Sequence, residues 1–330
     1  MGGVRICVFG AGAVGGHFAA QLAAAGHEVS VIARGDHLEV MRRNGLTLLK
    51  GERRIVARVR AAERAADVGR VDCVLATLKA TGLGALAAGI GPLLGPDTAV
   101  VFAQNGIPWW YAQGLAGRPA PPAELERLDP GGALARAVAP ERVLGGVIYS
   151  ANEVLEPGVV RCNAPQRNVL VLGEPGGGTS ARLAALSAAL EAAEIQAPVE
   201  ADIRRSVWAK LLINVGSSAI GVVTGETVKA AMADPALAEL RRRVHAEGRA
   251  VAAAHGVDPE GAPLPPPHQA GGPEHKTSML QDYERGRPME IDAILMAPLW
   301  FARAAGVPAP ALEALAAVAA HKARAKGLYT

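Results

Sequence analysis

A short apolar run at residues 4–9, rich in β-forming side chains, leads into Gly10-Ala11-Gly12-Ala13-Val14-Gly15 and then into an alanine-rich stretch at 17–25. This order predicts a strand, a tight turn and a helix, and the Gly-x-Gly-x-x-Gly spacing is typical of a dinucleotide-binding unit. Gly10 would permit the sharp turn, Gly12 would leave room for a pyrophosphate, and Gly15 would bring the helix close to the sheet. The N–H groups that begin the helix would face the phosphates.

The rest of the hydrophobic pattern divides the chain into two parts. Apolar runs at 27–34, 71–79 and 98–102 predict strands, and the lack of strict alternation at 71–79 predicts a sheet that is covered on both faces. The first part also contains shorter predicted elements: a hairpin at 46–59, antiparallel strands at 142–149, 158–162 and 168–172, and a helix at 179–193. From about residue 202 the pattern is helical. We therefore expect an α/β, Rossmann-like domain at 1–200 and an all-helical domain at 201–330.

The end of the second predicted strand bears on which dinucleotide would bind. NAD sites usually place Asp or Glu there, whereas this chain has Arg34 followed by Gly35. A guanidinium group can hold a 2′-phosphate through two parallel hydrogen bonds, which favours NADP over NAD. The alternative is a solvent-exposed Arg in a loop, and Asp36 could still favour NAD.

Two further polar residues follow the next predicted strands. Lys79 and Asn105 stand at the strand ends where open α/β sheets bind their ligands. Asn105-Gly106 is also a turn signal, so Asn105 could serve turn geometry alone. Its place beside the predicted nucleotide makes a ligand contact the better interpretation.

A polar stripe interrupts an otherwise apolar helix of the second part. One face of this helix carries polar residues at i, i+4 and i+7 or i+8: Lys210, Asn214, and Ser217 or Ser218. A nicotinamide cofactor delivers hydride, so the protein must supply the proton. A partly desolvated ammonium group has a lowered pKa, which suits a general acid. The alternative is a Lys210 that reaches solvent from a packed helix.

A second polar cluster lies nearer the C-terminus and contains Ser278, Glu290 and Asp292. The two carboxylates could cap or begin a helix, since negative charge is favoured there, and Ser278 could be an N-cap. Taken alone, these structural roles explain the cluster better than catalysis does.

Composition narrows the functional classes. Half of the 330 residues are hydrophobic and the formal charge is +3, with no basic run between aromatics, which argues against a nucleic-acid partner. The isolated cysteines Cys7, Cys73 and Cys162 form neither a metal pattern nor a disulfide framework, which suits a reducing cytoplasm. We expect no membrane span and no metal. The Gly- and Pro-rich stretches 114–140 and 257–273 predict a surface connection and a loop or lid.

Five motifs together span nearly the whole chain. They are the glycine motif, Thr77-Leu78-Lys79-Ala80, Gln104-Asn105-Gly106, Trp208-Ala209-Lys210-Leu211-Leu212, and Ser278-Met279-Leu280-Gln281-Asp282 with Glu290-Ile291-Asp292. In these motifs and their order the chain resembles the ketopantoate reductase family. The resemblance implies a Rossmann-like domain and a helical domain of the 6-phosphogluconate dehydrogenase-like kind, with the site in the cleft between them. It also implies NADPH-dependent reduction of 2-dehydropantoate (ketopantoate) to (R)-pantoate, on the route to pantothenate and coenzyme A.

The resemblance gives roles to residues on the substrate side. Lys210 would protonate the substrate oxygen while the pro-S hydride passes to the keto carbon. Asn214 and Ser278 would bind the hydroxyl and carboxylate groups of the substrate, and Asn105 would also be able to contact it. Ser218 stands where the family commonly has a second Asn, followed by Pro.

The resemblance also gives roles on the cofactor side. Residues 10–15 would bind the pyrophosphate, and Arg34 matches the family's ligand of the 2′-phosphate. Lys79, Asn105 and Glu290 would lie at the nicotinamide, with Glu290 as a second catalytic residue. Ala151 would offer backbone contacts there. The expected cofactor is NADPH or NADP, with NADH as the less favoured choice.

The departure at Ser218 leaves alternatives open. A shorter side chain loses reach towards a polar substrate group, and one such hydrogen bond can decide which substrate is accepted. Bulky aromatics at 107–111 are also expected near the site. A related D-2-hydroxyacid dehydrogenase acting on other branched or aromatic 2-keto acids is therefore the alternative, and a non-catalytic NADP-binding sensor is a third. The apolar helices of the second part could support a homodimer.

Overall fold

The computed structural model describes residues 3–263 and 276–330, which form two compact units. Unit 1 contains residues 3–104 and 131–203, and unit 2 contains 105–130, 204–263 and 276–330. The expected division at residue 200 therefore differs from the structure for 105–130, which sequence order alone assigns to the first domain. Of the expected loop or lid at 257–273, residues 264–273 lie outside the described part of the chain.

The elements are as follows in chain order. The strands are β1 (Arg5–Phe9), β2 (Glu28–Ile32), β3 (Leu46–Lys50), β4 (Arg53–Ala57), β5 (Arg60–Ala62), β6 (Val71–Ala76), β7 (Leu94–Phe102), β8 (Val143–Tyr149), β9 (Asn152–Glu156), β10 (Val159–Cys162) and β11 (Val169–Gly173). The helices are α1 (Ala13–Ala24), α2 (Gly35–Asn44), α3 (Leu83–Gly89), α4 (Ala133–Ala137), α5 (Ala181–Ala192), α6 (Ile203–Thr224), α7 (Val228–Ala233), α8 (Pro235–Ala254), α9 (Ser278–Glu284), α10 (Ala297–Ala304) and α11 (Pro310–Ala325). A π-helical turn, Asp292–Met296, precedes α10.

The main sheet of unit 1 has the strand order β11-β8-β7-β6-β1-β2-β5. All neighbours in it are parallel except β11, which is antiparallel to β8. The chain goes from β1 to β2 on one side and continues with β6 on the other side of β1. This reversal of strand order opens a crevice at the C-terminal end of β1, where the glycine turn lies. The strands predicted at 4–9, 27–34, 71–79 and 98–102 and the Rossmann-like fold are confirmed.

A second sheet of unit 1, with the order β4-β3-β10-β9, covers the other side of α1. The predicted hairpin is confirmed as β3 and β4. The prediction for residues 158–162 is wrong in its partners, because β10 pairs with β3 and β9 and not with β8 or β11. The apolar pattern of β10 indicated a strand, but its partner β3 is more than a hundred residues away in the sequence. α1 is mostly apolar and buried on several sides because it packs between both sheets, with His17 and Gln21 as buried polar residues.

Unit 2 is helical, as expected, and α6 lies in its core. Gly248 of α8 approaches α6 so closely that a Cβ atom there would lie 2.5 Å from Leu212 Cδ2. Lys322 of α11 donates hydrogen bonds of 2.8 and 2.9 Å to the carbonyls of Val222 and Val223, near the C-terminal end of α6. These contacts satisfy carbonyls that have no partner within the helix.

Two expectations from composition need correction. α6 is long and apolar enough to cross a membrane, although no such stretch was expected; 72% of its most apolar window is buried inside the protein, as in a core helix. The stretch 114–140 contains a 3₁₀ turn at Ala123–Leu128 and helix α4, and both bury a leucine. It is therefore more than a surface connection.

Candidate functional site

The three glycines of the turn after β1 have different surroundings. Gly10 has φ +103°, and a Cβ there would lie 2.6 Å from Leu78 Cδ2. A Cβ on Gly15 would lie 2.2 Å from the Gly10 carbonyl oxygen and 2.4 Å from Thr77 Oγ1, so α1 rests directly on the sheet. A Cβ on Gly12 would meet nothing within 4 Å. Gly12 is the N-cap of α1, and the next N–H groups, including those of Ala13 and Val14, begin the helix without a partner inside it.

A histidine that the sequence did not single out fixes the glycine turn. His37 Nε2 lies 2.7 Å from the Ala11 carbonyl oxygen, while the Gly158 N–H donates to His37 Nδ1 at 2.9 Å. Because Nδ1 accepts, Nε2 must carry the hydrogen and donate to Ala11. His37 therefore connects the turn to the loop between β9 and β10, a link that no local pattern could reveal.

The loop after β8, which contains Ala151, is also held from α1. Asn152 donates through Nδ2 to Ser150 Oγ (3.1 Å), and its Oδ1 lies 2.9 Å from Nδ1 of the fully buried His17. Burial lowers the pKa of His17 to about 4, so the ring is neutral at physiological pH and donates from Nδ1. The Ala151 carbonyl accepts from the Asn163 N–H at 2.7 Å. Both flanks of Ala151 are thus fixed within unit 1.

Four groups of predicted cofactor residues follow strands of the one parallel sheet. The glycine turn follows β1, Arg34 follows β2, Lys79 follows β6, and Ala151 follows β8. Since the carboxyl ends of parallel strands meet at one sheet edge, these groups share that edge. Arg34 is exposed and is the N-cap residue of α2, with Asp36 in the first helical turn. Lys79 is exposed and precedes a short 3₁₀ turn.

The predicted polar stripe lies on α6. Lys210 and Asn214 are half-buried, and Ser218 is 4% exposed. Ser217 Oγ donates to the Ile213 carbonyl oxygen at 2.6 Å and so is bound to its own helix. Of the two serines left open by the sequence, Ser218 is therefore the better candidate for a ligand contact.

The segment that begins with Asn105 is anchored on α6 through a buried aromatic cluster. The Trp208 Nε1–H donates to the Tyr111 hydroxyl at 2.7 Å, and the Arg204 guanidinium donates to the Tyr111 carbonyl. The Phe301 ring contacts Tyr111 and Trp208 edge-to-face, with centroids 5.1 and 5.5 Å away. Trp208 is two residues before Lys210, so this cluster fixes the start of the 105–130 segment on the helix that bears Lys210.

Glu290 immediately precedes the helical run that contains the π turn, and it is 8% exposed. Its carbonyl accepts from the Ile294 N–H, which agrees with the alternative that it begins a helix. Asp292, in contrast, is not a cap: its carboxylate accepts from Arg127 (3.1 and 3.2 Å) and from the Tyr329 hydroxyl (2.5 Å). Asp292 and Glu290 therefore have different surroundings.

The capping alternative for Ser278 is wrong. Thr277 is the N-cap of α9, and its Oγ1 accepts from the Leu280 N–H at 3.3 Å. Ser278 is the exposed first residue of the helix. Sequence alone could not separate two adjacent hydroxyl residues, each of which can cap.

The predicted residues separate by unit. The glycine turn, Arg34, Lys79 and Ala151 belong to unit 1, and unit 2 contains the remaining candidates: Asn105, Lys210, Asn214, Ser218, Ser278 and Glu290. Within residues 3–263 and 276–330, no three His, Cys, Asp or Glu side chains are grouped so that they could hold a metal ion.

Comparison with known proteins decides the family. Residues 6–110 match the family described as "Ketopantoate reductase PanE/ApbA", and residues 202–323 match its C-terminal part. The chain is 42% identical over 329 residues to a 2-dehydropantoate 2-reductase of Mesorhizobium japonicum, covering 99% of this chain and 100% of the relative. The chain belongs to the ketopantoate reductase family. It is therefore an oxidoreductase, and the resemblance seen in its motifs is confirmed.

Solved structures agree with this membership of the ketopantoate reductase family. A 2-dehydropantoate 2-reductase from Methylococcus capsulatus has a TM-score of 0.76 and 28% identity, with 98% of each chain covered. A ketopantoate reductase from Ralstonia eutropha JMP134 has a TM-score of 0.79 and 27% identity, covering 98% of this chain and 99% of the other. A D-mandelate dehydrogenase solved with NADH and anilino(oxo)acetate (TM-score 0.80, 21% identity, 98% and 99% covered) shares the fold.

Proposed function

We propose that this protein reduces 2-dehydropantoate to (R)-pantoate with NADPH, a step on the route to pantothenate and coenzyme A. The observation that carries the proposal is the 42% identity, over essentially both full lengths, to a 2-dehydropantoate 2-reductase. The arrangement of the candidate residues supports it, because side chains suited to proton transfer and to binding a polar keto acid belong to one unit.

The residues of unit 1 fit a phosphorylated dinucleotide. The open space at Gly12 and the N–H groups at the start of α1 suit the pyrophosphate, and the exposed Arg34 suits a 2′-phosphate. Lys79, Ala151, Asn105 and Glu290 would serve the nicotinamide end. When bound, NADPH supplies the hydride for the keto carbon.

The residues of unit 2 would handle the proton and orient the substrate. The Lys210 ammonium group would hydrogen-bond the keto oxygen, polarise the carbonyl and give that oxygen its proton as the alkoxide forms; the neutral amine would then regain a proton from solvent. Asn214, one turn further along α6, would bind the substrate hydroxyl, with Ser218 next to it on the same stripe. The Ser278 hydroxyl would bind the carboxylate.

A substrate panel tests the proposal. Loss of NADPH absorbance should be fast with 2-dehydropantoate, the product should be (R)-pantoate, and kcat/KM should be lower with NADH. A protein that binds NADPH but is inert towards every 2-keto acid offered would instead be a sensor. Oligomeric state and cellular location stay predictions; sedimentation of the purified protein would test the homodimer.

A second function, D-2-hydroxyacid dehydrogenase, is favoured by one observation. The buried Ser218 stands where the family commonly has an Asn, and its shorter side chain would reach less far towards a polar group of the substrate. The comparison is kcat/KM for 2-dehydropantoate against 2-ketoisovalerate and benzoylformate, in the wild type and in Ser218→Asn. Preference for benzoylformate in the wild type would establish this second function.

A further inference from the structure

The turn that carries Asn105 rests on the π-helical turn that follows Glu290. Ile107 donates its N–H to the Ala293 carbonyl oxygen at 2.8 Å. Both partners belong to unit 2. A direct backbone contact thus joins the segments that carry two candidate site residues.

The Ala293 carbonyl is available because of the local helix geometry. In an α-helix it would accept from the N–H of Ala297, but Ala297 donates to the Asp292 carbonyl instead. The next residue, Pro298, has no N–H to offer. The π turn and Pro298 together leave this carbonyl without a helical donor, and Ile107 provides one.

Gly106 allows the close approach. Its φ is +81°, in the left-handed region that favours glycine, and a Cβ there would lie 2.4 Å from the Ala293 oxygen and 2.6 Å from its carbonyl carbon. Both atoms are backbone, so they cannot move aside as a flexible side chain would. Any other residue at this position must lift the turn from the helix.

The 105–130 segment makes a second contact with the π turn. Arg127 binds the Asp292 carboxylate through Nε and a terminal nitrogen, and the Tyr329 hydroxyl donates to the same carboxylate. The Asp292 carboxylate raises the pKa of Arg127, which stays charged. The π turn is thus held at Ala293 by the start of the 105–130 segment and at Asp292 by its end.

We propose that the Ala293 carbonyl, released by the π turn and Pro298, is the docking point that sets Asn105 in register with Glu290, and that Gly106 and Pro298 are positioning residues of the site. The expected effect on catalysis rests on the proposed roles of Asn105 and Glu290. The hydrogen bond from Ile107 to Ala293 is independent of those roles.

The main test compares Gly106→Ala with Gly117→Ala. Gly117 belongs to the same segment and has φ +77°, but a Cβ there would meet nothing within 4 Å, so this control carries the backbone strain without the collision. Because a misplacement of about 1 Å can cost about 100-fold in rate, we expect Gly106→Ala to lower kcat/KM for 2-dehydropantoate by about 10- to 100-fold. Gly117→Ala should keep the wild-type value. Equal activity in both variants would overturn the proposal.

Hydrogen exchange of the 105–111 peptide gives a readout that does not depend on turnover. The Ile107 amide should exchange about tenfold faster in Gly106→Ala than in Gly117→Ala, with the α5 peptide unchanged. Should Gly106→Ala fail to fold, Pro298→Ala supplies a competing N–H near the same carbonyl, with Pro310→Ala at the start of α11 as its control. Unchanged exchange at Ile107 contradicts the docking point, whereas an inert wild type with the expected exchange contradicts only the proposed function.

Discussion

The candidate site of unit 1 consists largely of backbone groups, whereas that of unit 2 consists of side chains. At the sheet edge of unit 1, binding would depend largely on the backbone: a glycine with positive φ, an open approach at Gly12 and the N–H groups that begin α1. In unit 2 the candidates are side chains from four separate segments, each fixed by its own packing. A backbone site should fail when a Cβ is added, whereas a side-chain site should fail when a functional group is removed or displaced.

Removing the amine of Lys210 should have the largest effect. General acid catalysis contributes about 10²–10⁴-fold, so Lys210→Ala should lower kcat by about 10³-fold. Calorimetric affinity for NADPH should stay nearly unchanged, because Lys210 is not among the proposed cofactor contacts. Lys229→Ala, an exposed lysine of α7, is the matched control. Turnover within about tenfold of the wild type would remove Lys210 from the chemistry.

Low pH should lower the stability of unit 1 because of His17. Its folded pKa of about 4 lies below its ordinary value of 6.5, so the unfolded chain takes up the proton first as the pH falls. The contribution of His17 to the free energy of unfolding is therefore fully present above pH 6.5 and is lost as the pH falls towards 4, by about 3 kcal/mol in total. Urea unfolding followed by circular dichroism should show this slope, and His17→Gln should flatten it. An identical slope in the variant, with exposed His321→Gln as control, would assign the acid sensitivity elsewhere.

Two neighbouring glycines should separate stability from binding. In Gly15→Ala the new Cβ collides with the Gly10 carbonyl, and we expect a loss of about 2 kcal/mol in the free energy of unfolding. In Gly12→Ala the Cβ enters open space, so thermal stability should be retained while the Kd for NADPH rises about tenfold or more. Tight NADPH binding by Gly12→Ala would show that the pyrophosphate does not lie there.

The smallest expected effect concerns the preference for NADPH over NADH. Arg34→Ala should weaken NADPH binding about tenfold, the value of one charged hydrogen bond, and leave NADH binding as it was. Arg43→Ala, an exposed arginine on the same helix, should affect neither. Equal loss for both cofactors would argue that Arg34 contacts something other than the 2′-phosphate.

The sequence predicted the glycine turn of unit 1 better than it predicted the contacts that hold the candidate residues of unit 2. The glycine turn is local, so the spacing of its three glycines was enough to give each of them a role. The partners of β10 could not be found this way, because alternation indicates a strand but not which distant strand it pairs with. His37 and His17 escaped notice for the same reason, since both act on loops far along the chain.

In unit 2 the sequence indicated candidate residues but not what holds them. The Lys210 stripe was visible because helical spacing is local. The docking of Gly106 on Ala293 depends on a π turn, and a π turn depends on how two segments meet rather than on residue preferences. The aromatics at 107–111, expected near the site, include a tyrosine whose hydroxyl and carbonyl bind α6 in the core.

The buried aromatic cluster has a practical consequence. The chain has four tryptophans, Trp109, Trp110, Trp208 and Trp300, and all are buried in unit 2. Tryptophan fluorescence therefore reports on one unit alone: a red shift of the tryptophan emission during heating would time the melting of the helical unit, whatever the state of the sheet unit.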